Sequence, residues 1–559
     1  TPRTPHPAPR PGLGLGLPSG EPAVRRTRKR LESAMRIIYV DVDTLRADHT
    51  TPYGYHRPTT PHLQRLAEKS VVFDRYYCSD SPCLPSRTAL TSGQFGITNG
   101  VVGHFGPAAQ FRLDAGHGPE PDQPLLGQRL GWGGYYTAAV SVFAERHRAY
   151  HFHANFRESI RATDRFGDEE APEVNRAAID WIRRHARDDD WYLHLTYWDP
   201  HTNYTQPAEW TERMAASGPV QSWPDEETIA RHGAEVYGPR SALDLHYSLR
   251  GAGTSPVPHN MPDAIRSRAD FEHLVNGYDG AVSYWDHHFG RLLATLEELG
   301  IADDTAVIVS ADHGESFGEQ GSYAEHGLAN EPTHRLPLVV YWPGVTDDLP
   351  AHARRNDALL YNIDLAPTLC DLLGLGIPAG WQGTSFAGAV RGEAIDSRAY
   401  LVLGHGAHTY QRAVRTRDHL YIRTYHPGAF RAEWEQLFHV TEDPYLTRDL
   451  TADEPELAAR MRAHLAEWWN EYAGRPGCLP DPMQATLQTG PTYYNDPVRY
   501  ARHLRDTGRS PLAEDLEERL ATVRFPVSWH APDRPRTSEL LQRWAQLLQT
   551  RDQGSVQKH

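Results

Sequence analysis

Short apolar runs alternating with helical segments predict an α/β fold: a large central, mostly parallel sheet flanked by helices, with a smaller C-terminal α+β unit. Two further observations support it. Polar clusters stand where the apolar runs end, as they do at the carboxyl edge of an open α/β sheet. Beyond residue 400 the pattern changes to closely spaced strand-like runs followed by one long helical stretch, as expected of a small antiparallel sheet with a helix.

The elements follow in chain order. Residues 1–34 are rich in Pro, Gly and Arg and lack an apolar core, so they are read as a disordered leader or an added tail. The α/β unit is placed at 35–395. Its strands are expected at "RIIYVDV" (36–42), "YYTAAVSV" (135–142), "WYLHLTYW" (191–198), "TAVIVSA" (305–311) and "LPLVVYW" (336–342). Near-continuous apolar runs of this length suit strands covered on both faces. Helices are expected at 61–70, 171–186, 271–300 and 363–374. Residues 203–262, rich in Trp, Pro and Gly and weakly periodic, read as an insertion over the substrate side. The small antiparallel sheet and helix are placed at 396–475, and 476–559 is a C-terminal extension, Pro-rich and then amphipathic.

Composition narrows the function. The chain has 559 residues and a formal net charge of -15, which disfavours a nucleic-acid partner because phosphate neutralisation needs basic patches. A local group of Arg and His can still receive a small anion. No apolar run is long enough to span a membrane, so no membrane partner is expected. Only Cys78, Cys83, Cys370 and Cys478 occur, too few and scattered for a disulfide framework or a CxxC zinc site. That fits a reducing compartment, and a cytoplasmic enzyme is the expectation.

The polar clusters carry chemistry. Asp43 ends the first strand, with Asp41 two positions earlier on the same side, and Asp312-His313 end another. Either pair alone is also what a helix cap looks like. Together they make an oxygen-rich, one-nitrogen set that suits Ca²⁺ or Mn²⁺. In "CLPSR" (83–87) a cysteine precedes a Pro-Ser helix start and Arg87. A free cysteine is most often a small buried hydrophobe.

These segments resemble the type I, formylglycine-dependent sulfatases of the alkaline phosphatase superfamily. "CLPSRTALTSG" (83–93) matches their Cys-x-Pro-Ser-Arg signature, and "VDTLRADHTTPYGYHRPTTPHLQRLA" (42–67) is similar to their first-strand segment. "WDPHTNY" (198–204), "TAVIVSADHGESFGEQG" (305–321) and "EQLFHVTEDPYLTRDL" (435–450) are similar to their Pro-His loop, second metal segment and C-terminal strand. The resemblance implies an alkaline phosphatase-like fold and hydrolysis of a sulfate ester. It implies that Cys83 is oxidised to formylglycine by a formylglycine-generating enzyme, with the hydrated gem-diol as nucleophile. It further implies one divalent metal, Ca²⁺ first and Mn²⁺ second, held by Asp43, Asp312, His313 and residue 83, with Asp41 as an added ligand. Arg87 would grip diol and sulfate; His201, in the matching Pro-His position, would protonate the leaving alcohol. The substrate would be a sulfated small molecule or saccharide.

The sequence departs from that pattern twice. Thr44 stands where many members have a second aspartate. Lysine occurs only at 29, 69 and 558, so the two lysines that commonly hold the sulfate have no counterpart. His147 and His326 are the expected catalytic replacements, with His104 and Arg146 as further substrate-binding groups. A clamp of imidazoles would lose its charge as pH rises through neutrality. Two rivals stay open: a phosphonate or phosphate ester hydrolase on the same scaffold, and a non-catalytic carbohydrate-binding relative.

Overall fold

The structure is a computed structural model that describes residues 35–112, 122–165, 167–236, 240, 244, 257–428, 430–487 and 497–522. The expected leader 1–34, most of 237–256 in the insertion and 523–559 of the extension lie outside the described residues.

Eight strands form the main sheet: β1 (Arg36–Val42), β2 (Val71–Phe73), β4 (Tyr136–Val140), β5 (Glu158–Ile160), β6 (Trp191–Tyr197), β7 (Thr305–Ala311), β9 (Leu338–Tyr341) and β10 (Arg355–Asn356). Their order is β10-β2-β9-β7-β1-β6-β4-β5. Every residue of β1, β6 and β7 is buried, which explains why these strands read as continuous apolar runs rather than as alternation. β1 pairs in parallel with both β6 and β7, and Val42 lies opposite Tyr197 and Ala311. The three strands therefore end level, and whatever follows them in sequence meets at one edge. The run expected at 336–342 divides in the fold. Arg335–Leu336 pairs with Tyr76–Tyr77, whereas β9 runs antiparallel to β7 and β2. Pro337, which has no N–H to give a ladder, lies at the division.

Helices α1 (Pro61–Ala67), α2 (Cys83–Ser92), α3 (Ala171–His185), α4 (Arg268–Glu298) and α5 (Leu365–Leu372) surround the sheet. Asp286 of α4 accepts from the His62 and Leu63 N–H groups at the start of α1, giving orphan donors of that helix a partner. Gly277 lets α4 approach the insertion: a Cβ there would stand 1.8 Å from the Asn260 carbonyl oxygen.

The second sheet, in the order β14-β13-β12-β11-β3, consists of β3 (Asp80–Ser81), β11 (Leu401–His405), β12 (Tyr410–Arg415), β13 (His419–His426) and β14 (Glu435–His439). Helix α6 (Pro455–Tyr472) buries Ala458, Met461, Leu465 and Trp468 in the core of this unit. Its sheet crosses the boundary set at residue 396, because β3 adds in parallel to β11 with Ser81 opposite His405. The strand that leads into Cys83 thus belongs to the small sheet. The start of the extension is fixed to it as well: buried Asp481 accepts from Arg412 at 2.6 and 2.8 Å and from the Trp469 indole at 3.0 Å. Farther on, His503 and Arg509 reach Asp244 of the insertion at 2.8 and 3.2 Å. Among the described residues, no helix is long and apolar enough to cross a membrane.

Candidate active site

Cys83 is the first residue of α2, two positions before the Pro-Ser helix start expected from sequence, and it is buried. Two bonds fix the helix, the first of them to the end of β7. The Ser86 hydroxyl donates to the Asp312 carbonyl at 2.6 Å, and the Asn362 amide donates to the Ser86 carbonyl at 3.1 Å. On the other side Ser81 Oγ lies 2.8 Å from His405 Nδ1. The nucleophile candidate is therefore held by the main sheet's edge and by the small sheet at once.

The level ends of β1 and β7 bring Asp43 and Asp312-His313 to Cys83. His313 Nε2 lies 3.2 Å from Cys83 Sγ, 3.4 Å from Asp312 Oδ2 and 3.7 Å from Asp43 Oδ1. Its Nδ1 is 2.9 Å from the Gly314 carbonyl, which fixes the proton there and leaves Nε2 as an acceptor aimed at the cluster. Thr44, at φ 57°, turns the chain sharply so that its N–H donates to Asp312 Oδ1 at 3.2 Å. The Tyr278 hydroxyl of α4 braces this turn by donating to the Thr44 carbonyl.

Arg87 pairs with three carboxylates: Asp41 at 2.6 Å, Asp43 at 3.0 Å and Asp312 at 2.7 Å. Asp41 was expected as an added metal ligand, and this is corrected: its carboxylate takes the Arg87 fork and lies 3.2 Å from His194 Nε2 instead of joining the cluster at Cys83. The physical reason is that Arg87 takes both Asp41 oxygens, whereas it takes only Oδ2 of Asp43 and leaves Oδ1 without a hydrogen bond. Burial pushes Asp43 up, but Arg87 outweighs it, aided by His201 and His313, and holds that carboxyl below the usual range. Asp312 goes the other way, pushed up by burial and by Asp43 and Asp41 against Arg87. Burial, with Asp43 and Asp312, also pushes the Cys83 thiol well up.

The structure brings the predicted histidines to the same pocket. Ligand atoms of Cys83, His201 and His326 lie within 4.8 Å of one another. The His326 ring is 4.3 Å from that of His313, and His104 packs on His147 at 4.8 Å. Arg146 stacks over Trp198 at 4.7 Å. The positive charge expected of His147 and His326 is opposed by their burial. Desolvation lowers both, His326 to about 4; neighbouring His and Arg charges add to the effect, while Glu325 and Asp43 oppose it at His326. The same cause lowers His104, and takes His201 to about 3 against the pull of Asp43. Arg87 and Arg146 are the permanent cations, and charge on the imidazoles depends on the bound anion.

Asp199 sets the Pro-His loop on α3 by accepting from the Ala171 N–H at 2.7 Å. Burial raises its carboxyl to about 7, the Ala171 bond opposing. A folded value above the unfolded one gives stability that is complete below about 3.9 and lost as pH rises through about 7. The urea midpoint is thus expected to contain a component that declines from pH 5 to 8, and Asp199→Asn, which keeps an acceptor, should flatten it. An unchanged pH slope in the variant would refute this.

Cys83, Asp43, Asp312 and His313 are all buried with ligand atoms within 4.8 Å of one another. Asp43 Oδ1 has no hydrogen-bond partner, an unusual state for a buried carboxylate oxygen. An orphaned oxygen beside an oriented imidazole nitrogen fits a divalent cation. Four residues were missed by sequence reasoning. His405 and His408 arrive from the small sheet, and Glu315 and Glu325 flank the pocket with carboxyls raised by burial to about 8 and about 7. The signal for the first pair was "GHGAH" (404–408), two histidines directly after an apolar run.

The family model Sulfatase matches residues 36–375, and the model for the C-terminal region of N-sulphoglucosamine sulphohydrolase matches 318–471. Iduronate 2-sulfatase of Homo sapiens is 23% identical over 414 residues, covering 63% of this chain and 71% of its own. A structure solved in complex with its substrate D-glucosamine-2-N,6-O-disulfate superposes with TM-score 0.61 at 18% identity, covering 79% of this chain and 98% of that one. The phosphonate monoester hydrolase of Silicibacter pomeroyi superposes with TM-score 0.59 at 21% identity, covering 78% and 95%.

Proposed function

The chain belongs to the sulfatase family, and from that premise we propose that it hydrolyses a sulfate ester of a saccharide to the alcohol and inorganic sulfate, with residue 83 as nucleophile. The observation that carries this is the placement of Cys83 Sγ at the first turn of α2, 3.2 Å from His313 Nε2 and within reach of Asp43 and Asp312. As a thiol, residue 83 is a poor nucleophile here, because burial and two carboxylates disfavour the thiolate. Oxidised to formylglycine and hydrated, it supplies one hydroxyl for attack on sulfur and a second whose proton loss expels sulfate. The saccharide reading is supported by the relatives' names: iduronate 2-sulfatase, and a fold neighbour solved with a glucosamine disulfate.

Asp43, Asp312, His313 and residue 83 would hold the divalent ion, Ca²⁺ by oxygen content, which supplies Lewis acidity toward the sulfuryl oxygens when bound. The chain's own groups do the rest. Arg87 holds Asp41 and Asp43 toward the ionised form and keeps all three carboxylates in place. Arg146 brings a permanent charge to the pocket for the anionic ester. His201 stands within 4.8 Å of Sγ, on the side from which the alcohol departs in this reading. The ester's negative charge favours the imidazolium, the form in which His201 can protonate the leaving oxygen.

A panel of sugar and aryl sulfates against phosphate and phosphonate esters of the same alcohols tests the reaction, on protein whose residue 83 has been mapped. Sulfate esters should be preferred; faster turnover of phosphonates or phosphodiesters would replace this reading with its rival. Chelation should lower kcat by at least about 10²-fold, restored by Ca²⁺, and Asp312→Ala should not be restored. Wild-type rates in chelator would defeat the metal assignment.

A further inference from the structure

One buried cluster shares His326 with the pocket and extends beyond it to two residues, Glu325 and His408, that the reaction described above does not use. Glu325 ends β8 (Tyr323–Glu325), His326 follows it, and His408 comes from the turn between β11 and β12. All three are buried, and their ligand atoms lie within 4.8 Å of one another. His408 Nδ1 stands 3.5 Å from Glu325 Oε2. Two ligand atoms of a tetrahedral site with bonds of about 2.0–2.1 Å are separated by roughly 3.3 Å. His326 Nδ1 makes no hydrogen bond, and the nearest carboxylate oxygen facing it, Glu315 Oε1 at 3.6 Å, makes none either. Buried groups kept only for structure normally close their hydrogen bonds.

The donor set is informative. One carboxylate and two imidazoles match a three-ligand zinc site with an open position, whereas Ca²⁺ asks for six to eight oxygens. We propose that Glu325, His326 and His408 form a second metal site, one that takes Zn²⁺ in preference to Ca²⁺ and opens toward the ester pocket. The His326 ring lies 4.3 Å from that of His313 and 5.8 Å from that of His201, so a cation there adds charge on the pocket wall. This is the charge that a chain without a lysine in its pocket segments does not draw from ammonium groups. The catalytic role rests on the sulfate-ester reading; the binding of Zn²⁺ does not.

The test measures metal content and activity on the full chain. Protein stripped of metal and saturated with Ca²⁺ is dialysed against buffered Zn²⁺ and analysed by elemental mass spectrometry, with Co²⁺ absorption as a second probe of the ligand set. Zn²⁺ per chain should fall by one in His408→Ala and in Glu325→Gln, with Zn²⁺ affinity at that site weakened at least about 100-fold. Circular dichroism without zinc checks that each variant is folded, and Glu325→Gln decides if His408→Ala is not. Equal Zn²⁺ content in wild type and folded variants would overturn the site. If the content falls by one but no sulfate ester is turned over, the site stands and the sulfatase reading is what has failed. If sulfate esters are turned over equally fast with and without Zn²⁺, the catalytic role is overturned.

Discussion

Cys83→Ala is expected to lower sulfate-ester turnover by about 10⁴- to 10⁶-fold while leaving the fold intact, the scale seen when an enzyme's nucleophile is removed. The residue is buried at the first turn of α2, where an alanine fits the helix without new polar demands. Cys78→Ala is the matched control. Cys78 is equally buried but lies outside the ligand-atom groups that contain Cys83, so that variant should lose roughly 1 kcal/mol of stability and keep its kcat. Cys83→Ser separates two functions of the residue. It keeps one hydroxyl for attack and lacks the second, so it should release one equivalent of alcohol and then stop, carrying the sulfate. Peptide mapping of active wild type should find formylglycine at position 83. Steady multiple turnover by Cys83→Ala would remove residue 83 from the mechanism.

Arg87→Ala should be the most damaging substitution for stability as well as for rate. The guanidinium is 1% exposed and neutralises Asp41, Asp43 and Asp312 at 2.6 to 3.0 Å, so its loss leaves three carboxylates buried around a hole. Breaking a buried pair in this one-sided way costs about 3–5 kcal/mol. The loss should be smaller in Ca²⁺ than in chelator, because a divalent ion opposes the same carboxylates. Arg87→Lys should not restore activity, since a single ammonium cannot match the fork that spans Asp41 and Asp43. Thermal melts with and without Ca²⁺, together with kcat, check this. An Arg87→Lys enzyme near wild-type rate would mean that only charge is needed here.

Much of the fold was legible because it rests on local patterns. β1, β6 and β7 are apolar throughout because both faces are covered, and a run of that kind announces itself. Asp43, Asp312 and His313 were legible for a related reason: they sit directly after such runs, where chain order and spatial order coincide; Cys83 and Arg87 were legible through the resemblance of "CLPSR" to a family signature. Asp41 was misassigned because alternation along a strand gives the face of a side chain but not its partner, and Arg87, 46 residues on, took it. The charge state of His147 and His326 was not legible because a sequence carries no information on desolvation, and burial shifts whether an imidazole holds its proton.

By itself, then, the sequence determined the α/β architecture and the polar groups at the strand ends, which follow from periodicity, and the Cys83 helix start, which resemblance to a family signature marked as the nucleophile's; the register that brings the strand ends level pairs segments as distant as β1 and β7 and was not legible. Only the tertiary structure decided that β3 pairs with β11, which places Ser81 opposite His405 and carries His408 to within 5.7 Å of His326 across 82 residues of chain. Such pairings are selected by the global packing of two sheets. Their energy lies in contacts between distant segments, so no stretch of sequence read locally contains them.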